Sequence, residues 1–225
     1  MNKKILIIVA HPDDEVLGCF ATVAKMIKNG YEAYTLILGK GQAARGKVDE
    51  NAADILQHEM FEANSFIGVK RVFSCDFPDN MFDSVPMLKI VKEIENVKME
   101  IKPDIIFTHH FGDINIDHQI TYKAVLTATR PMRGESVKTI YSMFVPSSSE
   151  WNAYSRETAF VPNVFVDVTD TIDLKIQALE KYRSELREYP HPRSLKYIED
   201  LSRLNGAMAG IENSENFVLV REIIL

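Results

Sequence analysis

The chain has only two cysteines, Cys19 and Cys75, in 225 residues. A disulfide framework needs more, so a reducing compartment is expected, with both thiols as small core residues. No apolar run approaches the roughly 20 residues that a bilayer-spanning helix needs. The apolar stretch after Lys3 and Lys4 is short and breaks at His11-Pro12-Asp13-Asp14-Glu15, without a small-residue cleavage site. It reads as a first strand rather than a leader, and the expected location is the cytoplasm. Positive charge is in deficit: 26 Lys and Arg stand against 32 Asp and Glu, a formal net charge of −6. That balance argues against a general nucleic-acid face, which needs basic groups to neutralise phosphates. It leaves room for a local basic pocket. A dinucleotide fingerprint is missing too. Gly39-Lys40-Gly41 lacks the third glycine and follows the second strand rather than the first.

What is present suits one globular domain over residues 1–225, long enough to bury a sizeable core. Lys4–Ala10 is a continuous apolar run, as in a strand buried on both faces. Glu15–Lys28 has helical spacing, with Val16, Phe20, Val23 and Ile27 in one stripe, and Asn29-Gly30 stops it. Tyr31–Leu38 reads as a strand, Gly39–Arg45 as a loop, Asn51–Phe66 as a helix and Arg71–Ser74 as a short strand. Val85–Ile101 is a helix halted by Pro103, Asp104–Thr108 a buried strand, and Asp117–Thr129 a helix. This alternation predicts an α/β, Rossmann-like fold with a mostly parallel sheet and helices on both faces. The last third should extend the sheet with strands at Thr139–Val145, Val164–Val168 and Phe217–Ile224, and helices at Thr171–Arg187 and Ser194–Met208.

In an open α/β sheet, ligands bind beyond the carboxyl ends of the strands. His11 follows the first strand, His109 and His110 follow Asp104–Thr108, and His118 lies one loop further on, so these side chains should converge. Three consecutive carboxylates, Asp13, Asp14 and Glu15, repel one another unless positive charge is near. Asp13 or Asp14 capping the first helix would be one remedy. A metal would be another: His11 and Asp14 could face one cation, leaving Asp13 free for an attacking water, with His118 as third ligand. Two histidines and a carboxylate suit catalytic zinc and equally non-haem iron(II).

At these residues the sequence resembles the PIG-L/LmbE-like zinc-dependent N-deacetylase family, over nearly the whole chain. The matching elements are AHPDDE (Ala10–Glu15), THHFGDINIDHQ (Thr108–Gln119) and YPHPRS (Tyr189–Ser194). The resemblance implies a Rossmann-like fold and a divalent metal, usually zinc, with His11, Asp14 and His118 as ligands and Asp13 as general base. It also implies removal of N-acetyl groups from N-acetylglucosamine units in small-molecule or lipid settings. The commonest family pattern, H-P-D-H, reads Asn115-Ile116-Asp117-His118 here. Asn115 can donate a hydrogen bond but cannot supply a proton. The general acid is therefore sought among His110, His109 and His191, with His110 favoured.

An amide is a poor electrophile, and water at neutral pH is a poor nucleophile. Zinc addresses both, Asp13 would take the water's proton, and a histidine or Asn115 would meet the oxyanion. Arg45 is the candidate for substrate recognition, with Arg193 and Arg130 weaker. The sequence does not assign roles to Glu59 or to Asp79-Asn80. The expected partner is a small N-acetylated sugar or glycoconjugate, with no nucleic acid, and a homo-oligomer is compatible. Rival readings are a non-catalytic metal-and-sugar binder, or a hydrolase of another amide or an ester.

Overall fold

The computed structural model of the protein describes residues 2–41, 50–153 and 155–224. In chain order the regular elements are β1 (Lys4–Val9), α1 (Asp14–Lys28), β2 (Glu32–Gly39), α2 (Glu50–Ile67), β3 (Arg71–Phe77), α3 (Met87–Ile101), β4 (Ile105–Thr108), α4 (Ile116–Ala128), β5 (Thr139–Met143), β6 (Val164–Asp167), α5 (Ile172–Leu179), α6 (Leu195–Ala209) and β7 (Ser214–Glu222). The strands form one sheet in the order β3-β2-β1-β4-β5-β7-β6. The first five of these pair in parallel. β7 runs antiparallel to both β5 and β6. The fold is thus the expected Rossmann-like one, with a mostly parallel sheet flanked by helices and extended by the last third of the chain. Among the described residues, no helix is long and apolar enough to cross a membrane.

β1 shows why its sequence has no polar alternation. Ile5, Ile7 and Val9 face one core layer with α1, α2, α5 and α6. Leu6, Ile8 and Ala10 face the other with α3 and α4. A strand covered on both sides needs apolar groups at every position. β1 lies between β2 and β4, where the strand order reverses, and its carboxyl end opens the crevice in which such folds bind ligands.

Several boundaries differ from expectation, each for a tertiary reason. The helix read over Thr171–Arg187 ends at Leu179. Beyond it Tyr182 is buried with its hydroxyl on Glu15, and the Ser184 backbone N–H and hydroxyl both donate to Glu59. These bonds draw the chain off the helical path. The last strand starts at Ser214 rather than Phe217, because Ser214, Glu215 and Asn216 pair with β6 despite their polarity. The buried Glu215 carboxylate is met by Lys175 Nζ at 2.6 Å and by the backbone N–H groups of Ala21 and Thr22. α3 begins at Met87 instead of Val85, since Pro86 holds the residue before it extended. α1 is buried all round from Asp14 to Ala24, more than a single stripe provides for. Cys19 is in the core as expected, but Cys75 is only half-buried, because β3 is an edge strand.

Candidate metal centre and active site

The turn after β1 carries the first motif. Asp13 adopts φ 93°, a conformation unfavourable for any residue with a Cβ, and its side chain makes no bond to the α1 N-terminus. Capping therefore does not explain it. Its backbone N–H donates to Glu15 Oε2 at 3.1 Å, and Glu15 Oε1 accepts from Tyr182 Oη and from Asn64 Nδ2. Asn64 Oδ1 in turn accepts from Thr35. Tyr182 and Asn64 thus clamp Glu15, and Glu15 holds the turn that carries Asp13.

Asp14 points the other way. Its Oδ2 accepts the His11 backbone N–H at 2.9 Å and lies 3.4 Å from His11 Nδ1, 3.3 Å from His118 Nε2 and 3.5 Å from His109 Nε2. Burial alone would raise this carboxyl. The imidazoles of His118 and His109 and the hydrogen bonds from His11 and His118 outweigh it and hold the group well below the usual carboxylate range. His11 and His118 each have a second carboxylate on the other nitrogen. His11 Nε2 lies 2.9 Å from Asp117 Oδ2 and 3.0 Å from Asp79 Oδ1. His118 Nδ1 lies 3.2 Å from Asp113 Oδ2. Burial opposes charge on both rings, but these carboxylates prevail. His11 is raised well above its ordinary value, and His118 is pushed up to about 9 by Asp14 and Asp113. Asp113, also buried, is carried down to about 2 chiefly by His118.

The donor set fits a divalent cation. One nitrogen or oxygen from each of His11, Asp14 and His118 lies within 4.8 Å of the others. Three such ligands with open positions facing a pocket make a catalytic rather than a closed structural arrangement. A carboxylate on the far nitrogen of each histidine is what fixes the tautomer and orientation of a metal-ligating imidazole. His11, Asp79 and Asp117 are equally close together. There, however, Asp117 already accepts the backbone N–H groups of Asn80 and Phe82, which suits a brace better than a ligand.

A cavity of about 180 Å³ opens beside this cluster, lined by His11, Asp13, Asp14, Asn80, Asn115 and His118 together with Ser147, Ser148, Glu185 and Arg193. Asp13 Oδ2 is buried and has no hydrogen-bond partner among the described residues. Burial raises the Asp13 carboxyl to about 7, against the opposing pull of Arg193. Arg193 Nη1 is 3.5 Å from that oxygen, and the side chain is fixed by Glu185 Oε2 and Ser147 Oγ, each at 2.7 Å.

The other candidates occupy varied places. Asn115 lines the pocket, but its Oδ1 caps α4 by accepting from Asp117 N, and its Nδ2 donates to Asn80. His109 is fully buried, stacks on His118 at 3.8 Å, and accepts the Ala10 N–H at Nε2. Burial, and then His118, lower it to about 3. His110 is directed at Thr158 O and Ser142, and His191 sits on the outer rim beside Trp151. None of these three lines the cavity. Arg130 is exposed beyond the end of α4, and Arg45 lies outside the described residues. Sequence reading missed the braces Asp79, Asp113 and Asp117 and the clamp on Glu15. The available signal was chemical: buried ligating histidines call for carboxylate partners, and both site loops hold spare aspartates.

Comparison with known proteins shows the family and the fold. The family described as PIG-L, GlcNAc-PI de-N-acetylase, matches residues 6–129. A diacetylchitobiose deacetylase of Thermococcus kodakarensis is 27% identical, over 99% of this chain and 85% of the relative. Among solved structures, the N,N'-diacetylchitobiose deacetylase of Pyrococcus horikoshii superposes with a TM-score of 0.78 at 20% identity, over 97% of this chain and 84% of that one. GalB, the 4-carboxy-2-hydroxymuconate hydratase of Pseudomonas putida, also reaches 0.78, at 19% identity over 99% and 98%.

Proposed function

The chain belongs to the PIG-L family, and from that premise we propose that it hydrolyses the N-acetyl group of an amino sugar or related glycoconjugate with the help of a divalent cation. Zinc is the first choice and iron(II) the alternative. The observation that carries this reading is the divergence of Asp13 and Asp14, one facing the pocket beside Arg193 and the other among imidazoles. His11, Asp14 and His118 would hold the cation. Such an ion, when bound, polarises a carbonyl and acidifies water.

The rest falls to side chains. Asp13, kept out of the ligand set by its strained turn, takes a proton from the attacking water. A carboxyl raised to about 7 can also keep that proton and return it to the departing amine. This assigns acid and base to one residue, in place of the histidines expected from sequence, which do not line the cavity. Arg193 steadies the carboxylate, and Asn80, Ser147 and Ser148 offer groups for sugar hydroxyls. A pure binding protein would have no use for the clamp that holds Asp13 in an unfavourable conformation. A hydratase on a similar fold shows that architecture alone does not choose the reaction. The deciding assay measures acetate and free amine from N-acetylglucosamine, N,N'-diacetylchitobiose and lipid-linked N-acetylglucosamine, using protein loaded with zinc or iron(II). Equimolar acetate and amine are expected from at least one. No acetate from any of them overturns the reading.

A further inference from the structure

Five of the exposed apolar side chains border the cavity-lining residues in sequence. Met81 adjoins Asn80, Ile114 and Ile116 flank Asn115, and Trp151 and Tyr189 rise near Ser148 and Arg193. All neighbour residues that line the cavity. Trp151 is the only tryptophan in the chain, and 53% of it is exposed. Leaving that much indole in water is unfavourable, and such surfaces mark binding sites.

The segment that presents Trp151 is firmly built. The backbone N–H groups of Ser147 and Ser148 donate to the Glu150 carboxylate at 2.7 and 3.1 Å. The Ser149 hydroxyl donates to Asp113 and accepts from the Val145 N–H. Asn152 Nδ2 donates to the Gly112 carbonyl. Glycine is needed at position 112, because a Cβ there would collide with the Thr158 carbonyl oxygen. The His191 ring meets Trp151 edge to face at 5.8 Å and 89°. His191 is itself held by the Arg193 N–H, and Arg193 by Ser147. The indole therefore stands on a rigid ledge, and two of its supports, Ser147 and Arg193, also line the cavity. Tyr189 offers less, since Lys196 Nζ already lies over its ring at 5.4 Å.

We propose that Trp151, with His191 at its edge, is a stacking subsite for a second pyranose ring of a saccharide whose N-acylated unit occupies the cavity. The proposal deepens the functional reading above and rests on it. A pyranose presents a C–H face to an indole and a rim of hydroxyls to its surroundings. Here those surroundings are serines, Glu150, Asn152 and Arg193. An alkyl chain laid on the same ledge would cover these groups without pairing them, which is costly.

Because Trp151 is the sole tryptophan, emission excited at the indole band reports on this one place. The experiment titrates N-acetylglucosamine, N,N'-diacetylchitobiose and octyl N-acetylglucosaminide into metal-loaded Asp13→Asn protein, reading fluorescence and, in parallel, calorimetry. The disaccharide should change the emission saturably and bind about tenfold tighter than the monosaccharide, the scale of one aromatic contact. Trp151→Ala should lose that advantage while leaving the affinity for the monosaccharide unchanged, and Trp151→Phe should keep most of it. A disaccharide that binds no tighter than the monosaccharide, or leaves the emission unchanged, overturns the subsite. So does a gain shown only by the octyl glycoside. Wild-type protein that releases no acetate sinks the hydrolytic reading instead, and the titration distinguishes the two failures.

Discussion

Asp13 and Asp14 are chemically identical neighbours at the mouth of one pocket, and the protein treats them in opposite ways. Asp14 is ringed by His11, His109 and His118, and His118 with His11 keeps it ionised. Asp13 faces the cavity with one oxygen free of hydrogen bonds and Arg193 3.5 Å away, and burial raises it to about 7. The difference comes from backbone as much as from charge. The φ of 93° at Asp13, held through Glu15, swings one carboxylate out of the cluster that its neighbour enters. Position among fixed dipoles and charges, rather than residue type, sets the two carboxylates apart.

The largest effects should come from exchanging the two. Asp14→Asn is expected to purify without bound cation and to be inactive, whereas Asp13→Asn keeps stoichiometric cation and loses roughly 10²–10⁴-fold in turnover. Elemental analysis beside acetate release reads both variants. Metal retained in the first, or full activity in the second, would collapse the contrast.

The same contrast has a pH signature in chelator-treated protein. In the folded state the Asp13 carboxyl titrates near 7, above the unfolded value near 3.9. The unfolded chain gives up this proton first, so stability is fully present below about pH 4 and falls as pH rises through about 7. The loss assigned to Asp13 is a few kcal/mol at most, because each tenfold difference in proton affinity between the two states is worth about 1.4 kcal/mol. His11, His118 and Glu15 are also raised and add in the same direction. Urea midpoints between pH 5 and 8 should fall less steeply in Asp13→Asn than in the wild type. Equal slopes would mean that Asp13 is ionised throughout.

A smaller effect separates ligands from braces. Asp113→Asn and Asp117→Asn leave all three ligands in place but weaken the hold on His118 and His11. Metal affinity should drop about 10–100-fold, with binding still measurable in a competition titration. An unchanged affinity would show that these carboxylates do not orient the imidazoles.

How much of this was legible follows the same division. The convergence of His11, Asp14 and His118 was readable because it is local: His11 and Asp14 share one turn, and His118 follows β4 by a single loop. The parallel core was readable from runs such as Lys4–Ala10. The surroundings of Asp13 were not, because they are assembled over long distances. Glu15 is clamped by Tyr182 and Asn64, and Arg193 reaches Asp13 across the pocket from the last third of the chain. The strand at Ser214–Asn216 was hidden for the same reason, since the Lys175 ammonium and two N–H groups of α1 make a buried glutamate tolerable there. No spacing rule encodes such partners.

Asn115 offers the finest test, because sequence and structure assign it different work. Sequence reading offered it as an oxyanion donor in place of a histidine. In the fold its Oδ1 caps α4 through the Asp117 N–H at 2.8 Å, and its Nδ2 is occupied by Asn80 Oδ1 at 3.1 Å. A capping residue and a catalytic donor respond differently to serine, which caps as well as asparagine but is shorter and has no amide. If capping is the main task, Asn115→Ser keeps stability and turnover, while Asn115→Ala loses about 1 kcal/mol in urea denaturation with kcat little changed. If Asn115 meets the oxyanion, serine and alanine should both lower kcat while only alanine lowers stability. The cap also places Asp117 at the first turn of α4, where it braces His11. A modest weakening of metal binding in Asn115→Ala, absent in Asn115→Ser, would therefore tie the asparagine that replaces the common motif's first histidine to the His11–Asp14–His118 side of the pocket rather than to the Asp13 side.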